Sequence, residues 1–284
     1  MKLALITPSY LPDLNRCKLL AQTVERWVDA SIDHLVIVPK KDCQAFKTLP
    51  SRSRIIAAES ILPKFAWQVP LGNKWWLTCH SFPVRGWIMQ QLVKLSAASC
   101  LDYDVFVFAD SDIVIIRPVT SEIFVRDGKV RLYKLPGAAK GPMHLRWNRV
   151  AAQKLGIEIR DYFGADYIGW LVSWHKPTVN DMLRRIETVN RKHWFVVLAN
   201  TLYFAEYLLY GIYVDFVVGD TASHFAEYSS LCHWHWYHKL DTPRNIETYI
   251  DAAKDEHLAI LFQSNVGLDV DCYYDVLKSK HIIE

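Results

Sequence analysis

The feature that most constrains this chain is a run of five apolar residues, 105–109, that ends in Asp110 and Asp112. A run this short and this apolar predicts a β-strand buried on both faces, as in a parallel sheet between helices. Four more apolar residues, 113–116, follow at once. The alternative is a plain polar turn. Two carboxylates held between apolar runs would be costly without a compensating partner, so the pattern favours a site that binds positive charge.

The first half of the chain predicts the sheet to which this strand belongs. Short apolar segments at 3–7, 35–38 and 54–57 indicate strands, and helical spacing indicates helices over 16–30 and 84–98. Strands that alternate with helices predict a parallel sheet with crossover connections. Apolar residues make up 51% of the 284 residues, which is enough for one large α/β core with an appended part.

The second half is less regular, and its pattern predicts shorter elements. The predicted strands are 129–135, 213–218 and 258–262. The predicted helices are 145–155, 179–190, 196–210 and 245–255, the last with Asn245 as N-cap.

The position of the two acids indicates their chemistry. In parallel α/β sheets ligands bind at the carboxyl ends of strands, and side chains two residues apart in extended chain point to the same side. Hard oxygen ligands such as the carboxylates of Asp110 and Asp112 suit Mg²⁺ or Mn²⁺. An ion held there would bridge the oxygens of a diphosphate and neutralise its charge as it leaves.

Several segments together resemble a known group of enzymes. The D-x-D pattern after a buried strand resembles GT-A-fold nucleotide-sugar glycosyltransferases and, more narrowly, a poorly characterised bacterial family of predicted glycosyltransferases. The matching segments are 6–10, 86–95, 108–112, 117–118, 167–169 and 204–211.

The resemblance implies a Rossmann-like, mixed and mostly parallel sheet flanked by helices. It implies one domain over 1–284, in which 1–120 binds the nucleotide sugar and 121–284 is the acceptor side. It also implies Mn²⁺ or Mg²⁺, a UDP- or GDP-linked sugar donor, and a saccharide or glycolipid acceptor.

Two segments are candidates for binding the nucleotide sugar. In the GT-A pattern the loop after the first strand holds the nucleoside, with Tyr10 stacking on the base and Asp13 bonding base or ribose; an ordinary βα loop is the alternative. On the helix before the key strand, a glutamine would bond a base or sugar hydroxyl and Lys94 would reach a phosphate; a solvated helix face is the alternative. The candidates are Thr7, Ser9, Tyr10, Asp13, Gln90, Gln91, Lys94 and Asp110.

Glu206 is the candidate catalytic base, with Asp166 as the second. Glu206 lies in an otherwise apolar predicted helix, where desolvation would raise the pKa of its carboxyl towards that of a useful base. An inverting transferase needs such a group to take the acceptor proton, and a retaining one does not. The alternative is a structural carboxylate bonded to an arginine or a backbone amide.

A run rich in histidine and aromatic residues, 232–238, lies late in the chain, where the resemblance to GT-A enzymes implies a third metal ligand, His233 or His235. Cys232 with two histidines would suit zinc, but no second cluster supports that metal. The alternatives are a packed polar-aromatic layer and a surface that binds acceptor sugar by stacking. Likewise, Trp67 and its neighbours at 75–76 would form either an acceptor platform or part of the core.

The net charge, the opening segment and the cysteines indicate which partners and which cellular compartment to expect. The net charge of +3 gives no argument for nucleic acid. The opening apolar stretch is too short for a signal-peptide core, and the six cysteines are scattered, so we expect a cytoplasmic protein. The resemblance implies a role in polysaccharide or glycolipid assembly. The Trp and Arg stretches allow peripheral contact with the inner face of the membrane.

Two other functions compete with a glycosyltransferase. A nucleotidyltransferase that makes an activated sugar would also place acids around a metal. Such enzymes usually open with a glycine-rich phosphate loop, whereas residues 7–13 contain no glycine. A non-catalytic carbohydrate-binding protein would use the aromatic residues and leave Asp110 and Asp112 unexplained.

Overall fold

A computed structural model of the chain describes residues 1–68, 75–219, 223–235, 240–264 and 267–284. Its strands are β1 (Leu3–Pro8), β2 (Asp33–Val38), β3 (Ser53–Ala57), β4 (Ala66–Gln68), β5 (Trp75–Thr78), β6 (Ser81–Arg85), β7 (Val105–Phe108), β8 (Ile113–Ile115), β9 (Val125–Arg126), β10 (Lys129–Tyr133), β11 (Leu135–Pro136), β12 (Ala165–Asp166), β13 (Val172–His175), β14 (His224–Glu227), β15 (Cys232–His233) and β16 (Ala259–Leu261).

The α-helices of the described residues lie between and around these strands. They are α1 (Leu14–Trp27), α2 (Cys43–Phe46), α3 (Ala58–Ile61), α4 (Gly86–Cys100), α5 (Pro142–Leu155), α6 (Lys176–Asn190), α7 (Trp194–Ala199), α8 (Glu206–Tyr213), α9 (Pro243–Asp251) and α10 (Asp271–Ser279). None of them is long and apolar enough to span a bilayer.

A five-stranded sheet in the order β13-β7-β1-β2-β3 forms the centre of the fold. β1 pairs in parallel with both β2 and β7, and β2 pairs in parallel with β3. β13 pairs antiparallel with β7 at one edge. The predicted α/β class and its mixed, mostly parallel sheet are therefore confirmed.

β7 is apolar throughout because helices cover both faces of the sheet. Val105 and Val107 pack with Leu20 and Val24 of α1. Phe106 and Phe108, which alternate with them, pack in the cluster that α4 contributes to on the other face. The period of two in a strand sends neighbouring side chains to opposite faces, and here both faces are buried.

A second, three-stranded sheet begins where β7 ends. The chain passes through Asp110 and Asp112 into β8, which pairs antiparallel with β16, and β16 pairs in parallel with β15. Apolar residues of α9 and α10 cover this sheet in a cluster of their own. The two acids therefore lie in the connection between two sheets, as the apolar runs on either side of them predict.

The predicted helix 196–210 is wrong, because two helices occupy this region. α7 ends at Ala199, and the next side chains bond backbone groups of the preceding turn: the Asn200 amide donates to Val196 O at 2.9 Å and Thr201 Oγ1 donates to Val197 O at 2.7 Å. Such local bonds compete with continued helix. Glu206 is consequently the first residue of α8 and not an interior residue of a long helix.

Two other local predictions are also wrong. The predicted strand 213–218 is a π-helical turn, Val214–Val218, that extends α8 and stops at Gly219, whose φ is +74°. A short apolar run does not distinguish strand from buried helix. α9 is capped by Thr242, whose side chain accepts the Asn245 N–H at 3.2 Å, so Asn245 is not the N-cap.

Candidate functional site

A cavity of about 610 Å³ opens at the carboxyl edge of the central sheet. Its wall includes residues that end or follow β1, β2, β3 and β7, the first half of α4, and the antiparallel sheet β4-β5-β6. Asp110, Ser111 and Asp112 lie on this wall. This is the edge at which α/β sheets bind ligands.

The two acids are held differently. Asp110 Oδ1 lies 3.0 Å from Lys94 Nζ and accepts a hydrogen bond from Gln90 Nε2 at 3.4 Å. Asp112 Oδ2 accepts the backbone N–H of Ser264 at 3.2 Å, across from β16. Burial, together with the negative charge of Asp110, raises the pKa of Asp112 to about 6. The pair is therefore a place where a cation would relieve repulsion between two carboxylates.

Lys94 is buried beneath Asp110 and is not part of the cavity wall. Its Nζ lies 3.2 Å from Glu206 Oε1 and donates to Tyr207 Oη at 2.9 Å. Burial alone would lower the pKa of Lys94, but Asp110, Tyr207 and Glu206 outweigh it and hold that pKa well above its usual value. Lys94 is thus a permanent cation that holds Asp110, and the expectation that it reaches a phosphate does not fit its position.

Glu206 lies behind Lys94, away from the cavity wall. Burial raises the pKa of its carboxyl, although Lys94 opposes this. Its backbone N–H donates to Gln91 Oε1 at 3.1 Å, so Gln91 is also used inside the protein. This geometry matches the alternative of a structural carboxylate, since a base must reach the acceptor hydroxyl.

Of the predicted nucleoside-binding residues at the end of β1 and after it, three line the cavity and one lies in the core. Ser9, Tyr10 and Asp13 line the cavity. Asp13 pairs with Arg16 at 3.3 Å, and burial raises the pKa of both Tyr10 and Asp13. The Thr7 hydroxyl instead shares a buried hydrogen bond of 3.0 Å with His34 Nε2, because it belongs to a strand with both faces covered.

The second candidate base, Asp166, is not among the described residues that line the cavity. It ends β12, and its Oδ1 accepts the Ile168 N–H at 3.0 Å. Burial raises the pKa of Asp166, and the charge of His144 opposes the rise. Its neighbours are therefore on the α5 side of the fold.

The histidines proposed as a third metal ligand are also away from the described cavity wall. The His233 ring packs 4.6 Å from that of Tyr249 and 5.3 Å from that of His257, centroid to centroid, as in the polar-aromatic layer considered above. Its strand neighbour Cys232 points the other way, where Asp112 helps raise the pKa of the thiol. His235 is exposed, and residues 236–238 of this run lie outside the described part.

No group of three His, Cys, Asp or Glu in the described ranges could hold a metal ion. Among the described residues, Asp110 and Asp112 are thus the two acids that would contribute ligands there. Mg²⁺ and Mn²⁺ are commonly held by one or two carboxylates, with phosphate oxygens and water completing the shell.

Sequence reasoning missed Arg85, the cation among the described residues of the cavity wall. It immediately precedes α4, and Gly86, the first residue of that helix, also lines the cavity. The positive end of the helix dipole therefore lies at the wall beside an exposed guanidinium. The position of Arg85 just before an apolar helical pattern is the only signal for it in the sequence.

Fold and site together define an α/β protein with a mixed, mostly parallel sheet and an acid-bearing cavity at its carboxyl edge. The chain belongs to DUF6492, a family of unknown function, whose model matches residues 1–255. No curated protein matches the sequence.

Proposed function

We propose that this protein is a metal-dependent glycosyltransferase that moves a sugar from a nucleotide-sugar donor to a hydroxyl of a saccharide or glycolipid. The observation that carries the proposal is the position of Asp110 and Asp112, at the carboxyl end of a buried parallel strand and on the wall of a cavity of about 610 Å³. The GT-A assignment of the fold is part of this proposal.

The acids fit a hard divalent cation. Both are oxygen donors, both lie on the cavity wall, and the charge of one raises the pKa of the other. Asp110 and Asp112 would hold the ion. Mn²⁺ or Mg²⁺, when bound, supplies positive charge that stabilises the departing diphosphate.

The rest of the cavity suits the donor. Tyr10 and Asp13, at the end of β1, lie where the nucleoside would bind, with Pro39 after β2 beside them. Arg85 and the positive end of α4 would face the diphosphate, because guanidinium groups and helix N-termini both favour phosphate oxygens.

Lys94 acts as a positioning residue in this proposal. It fixes one carboxylate oxygen of Asp110, and Glu206 balances the charge of Lys94 from behind. A side chain held in this way needs no reorganisation when charge develops in the cavity. Glu206 and Asp166 are set back from the cavity wall, so the proposal gives neither the role of base.

Tryptophans on the cavity wall favour a saccharide. Trp75, Trp76 and Trp87 are on the wall, and Trp75 and Trp87 are both more than 40% exposed. Exposed aromatic faces pack well against the C–H faces of sugars. All six cysteines are free thiols, which supports a reducing compartment such as the cytoplasm.

The test is calorimetric titration of UDP, GDP and CMP, each with and without Mn²⁺. The wild-type protein should bind one nucleotide in a metal-dependent way, and Asp112→Asn should lose that binding. Asp275→Asn, an exposed aspartate on α10, is the matched control and should bind as the wild type does.

Product analysis then distinguishes the competing functions. Release of a nucleoside diphosphate from a sugar nucleotide supports the proposal, whereas pyrophosphate from a nucleoside triphosphate would indicate a nucleotidyltransferase. Glycan binding without any nucleotide binding by folded protein would overturn the proposal and leave a carbohydrate-binding protein.

A further inference from the structure

Large apolar side chains are exposed beside the mouth of the cavity. Phe82 is 81% exposed, Leu202 66%, Trp87 49% and Met143 45%. Single exposed apolar residues are ordinary on protein surfaces, but adjoining ones mark an interaction surface.

Contacts between three segments bring these side chains together. The Phe82 N–H donates to Asn200 Oδ1 at 3.4 Å, and Asn200 Nδ2 donates to the carbonyl of His80 at 3.0 Å. The turn between β5 and β6 is thus attached to the end of α7, two residues before Leu202.

The same surface continues across α5 to the cavity. The Arg146 guanidinium lies 3.3 Å from the centroid of the Tyr203 ring, one residue beyond Leu202. Trp147 follows Arg146 in α5. The centroid of its ring is 5.9 Å from that of Trp87, which lines the cavity. We call Phe82, Trp87, Met143, Arg146 and Leu202 the mouth surface.

The stretches that build the mouth surface carry charge of one sign. These stretches, 60–101, 128–157 and 188–205, contain no Asp or Glu, although the chain has 30 acids in all. Arg85, Lys140 and Arg146 are exposed on them. Acids of other segments reach them at Arg149, which pairs with Asp161, and at Trp194, whose N–H donates to Glu187. An almost neutral chain therefore carries basic stretches where its aromatic residues are exposed.

We propose that the mouth surface binds an anionic lipid bilayer. Phe82 and Leu202 would enter the interface, Trp87 would lie at headgroup level, and Arg146 would face lipid phosphates. Aromatic and apolar side chains among cations complement a negatively charged membrane surface. Binding of this kind does not depend on catalysis. If the proposed glycosyltransferase activity also holds, the cavity opens towards an acceptor held in the membrane.

Co-sedimentation with phosphatidylcholine vesicles, with and without phosphatidylglycerol, tests the proposal. The wild-type protein should sediment with the phosphatidylglycerol vesicles at low salt and much less at high salt, because screening weakens attraction between exposed charges. The double variant Phe82→Ser/Leu202→Ser should bind about tenfold more weakly or worse, since it removes two apolar side chains from the interface.

Two further variants distinguish the effect of losing a positive charge from the effect of replacing any exposed side chain. Arg146→Glu should also weaken binding to phosphatidylglycerol vesicles. Tyr228→Ser replaces an aromatic residue that is 59% exposed, follows β14 and lies outside the stretches that build the mouth surface, and it should bind as the wild type does. Circular dichroism melts should show all variants folded, because the substituted side chains are exposed.

Three results would overturn the proposal. The first is equal binding of vesicles by the wild type and the double variant, and the second is equal binding of the wild type to both kinds of vesicle. The third is a wild-type protein that binds no vesicles but forms a concentration-dependent dimer, which the double variant does not form. The last would make the mouth surface a self-association site. Nucleotide titration of the same samples keeps the two proposals apart, because vesicle binding without nucleotide binding contradicts only the proposed activity.

Discussion

The ammonium of Lys94 lies 3.0 Å from Asp110 Oδ1, in a position where Lys94 is only 3% exposed. The same atom lies 3.2 Å from Glu206 Oε1. One buried cation therefore links an acid of the cavity wall to an acid of the core. The stability of the protein and the position of Asp110 both depend on it.

We expect Lys94→Met to destabilise the protein by about 3–5 kcal/mol, because it leaves Glu206 buried without its partner. It should also weaken nucleotide binding, since Asp110 loses the group that fixes it. The double variant Lys94→Met/Glu206→Gln should cost about 1–3 kcal/mol less than the sum of the single variants. Urea unfolding measures all three, with Lys278→Met on the exposed side of α10 as control. Additive effects would mean that the two side chains do not interact.

Arg85→Ala should weaken the binding of a nucleoside diphosphate about tenfold or more, because a charge-assisted contact to phosphate is lost. Binding of the matching nucleoside should change little, since Tyr10 and Asp13, and not Arg85, are the wall residues proposed to contact the nucleoside. Calorimetry on the two ligands measures the difference, and Arg244→Ala, on the surface of α9, is the control. An equal loss for both ligands would place Arg85 at the nucleoside.

His34 predicts how stability depends on pH. It is buried between Thr7 and Ser53, and burial lowers the pKa of its ring to about 3. The unfolded chain binds a proton near pH 6.5 and the folded chain does not. The contribution of His34 to stability is therefore constant at neutral pH and falls by about 1.4 kcal/mol for each pH unit below 6.

Urea unfolding between pH 7 and pH 4.5 checks this expectation. The stability advantage of the wild type over His34→Gln should shrink as the pH falls, while its difference from His80→Gln, an exposed position, should stay constant. A constant advantage over His34→Gln would show that His34 takes up a proton in the folded protein.

Gly211→Ala should destabilise the protein by about 2 kcal/mol, although alanine favours helix. A Cβ at Gly211 in α8 would overlap the ring of Tyr167, which is itself buried. The same substitution made in a Tyr167→Ala background should cost much less, because the clash is gone. Thermal unfolding of the four proteins measures the difference. Equal costs in both backgrounds would mean that the helix moves to make room.

The contact between Gly211 and Tyr167 also joins two segments used in the sequence analysis. The segments 167–169 and 204–211 are far apart in sequence, and both belong to the pattern from which a resemblance to glycosyltransferases is predicted. In the structure, α8 packs closely on Tyr167, and both segments are away from the described cavity wall. Such segments reflect the packing of the fold, whereas 108–112 reflects the site.

The central sheet could be predicted from the sequence because its signals are local. A strand with both faces buried must be apolar at every position, as β7 is, and the acids at 110 and 112 must follow where the strand stops. The loop at Ser9, Tyr10 and Asp13 was predicted for the same reason, since it follows the first buried strand. Predictions failed where local pattern is ambiguous, as at the π-helical turn after α8.

What the sequence determined by itself was the order of the first strands and helices, the α/β class, and the position of the acids at a strand end, because hydrophobic periodicity follows directly from burial. Only the tertiary structure decided what each polar side chain does. Lys94 and Gln90 share a helix, yet the first is buried between two carboxylates and the second lines the cavity. That difference depends on α8, more than 100 residues away in the chain, which brings Glu206 and Tyr207 against Lys94. Contacts between distant segments leave no periodic signal in either one.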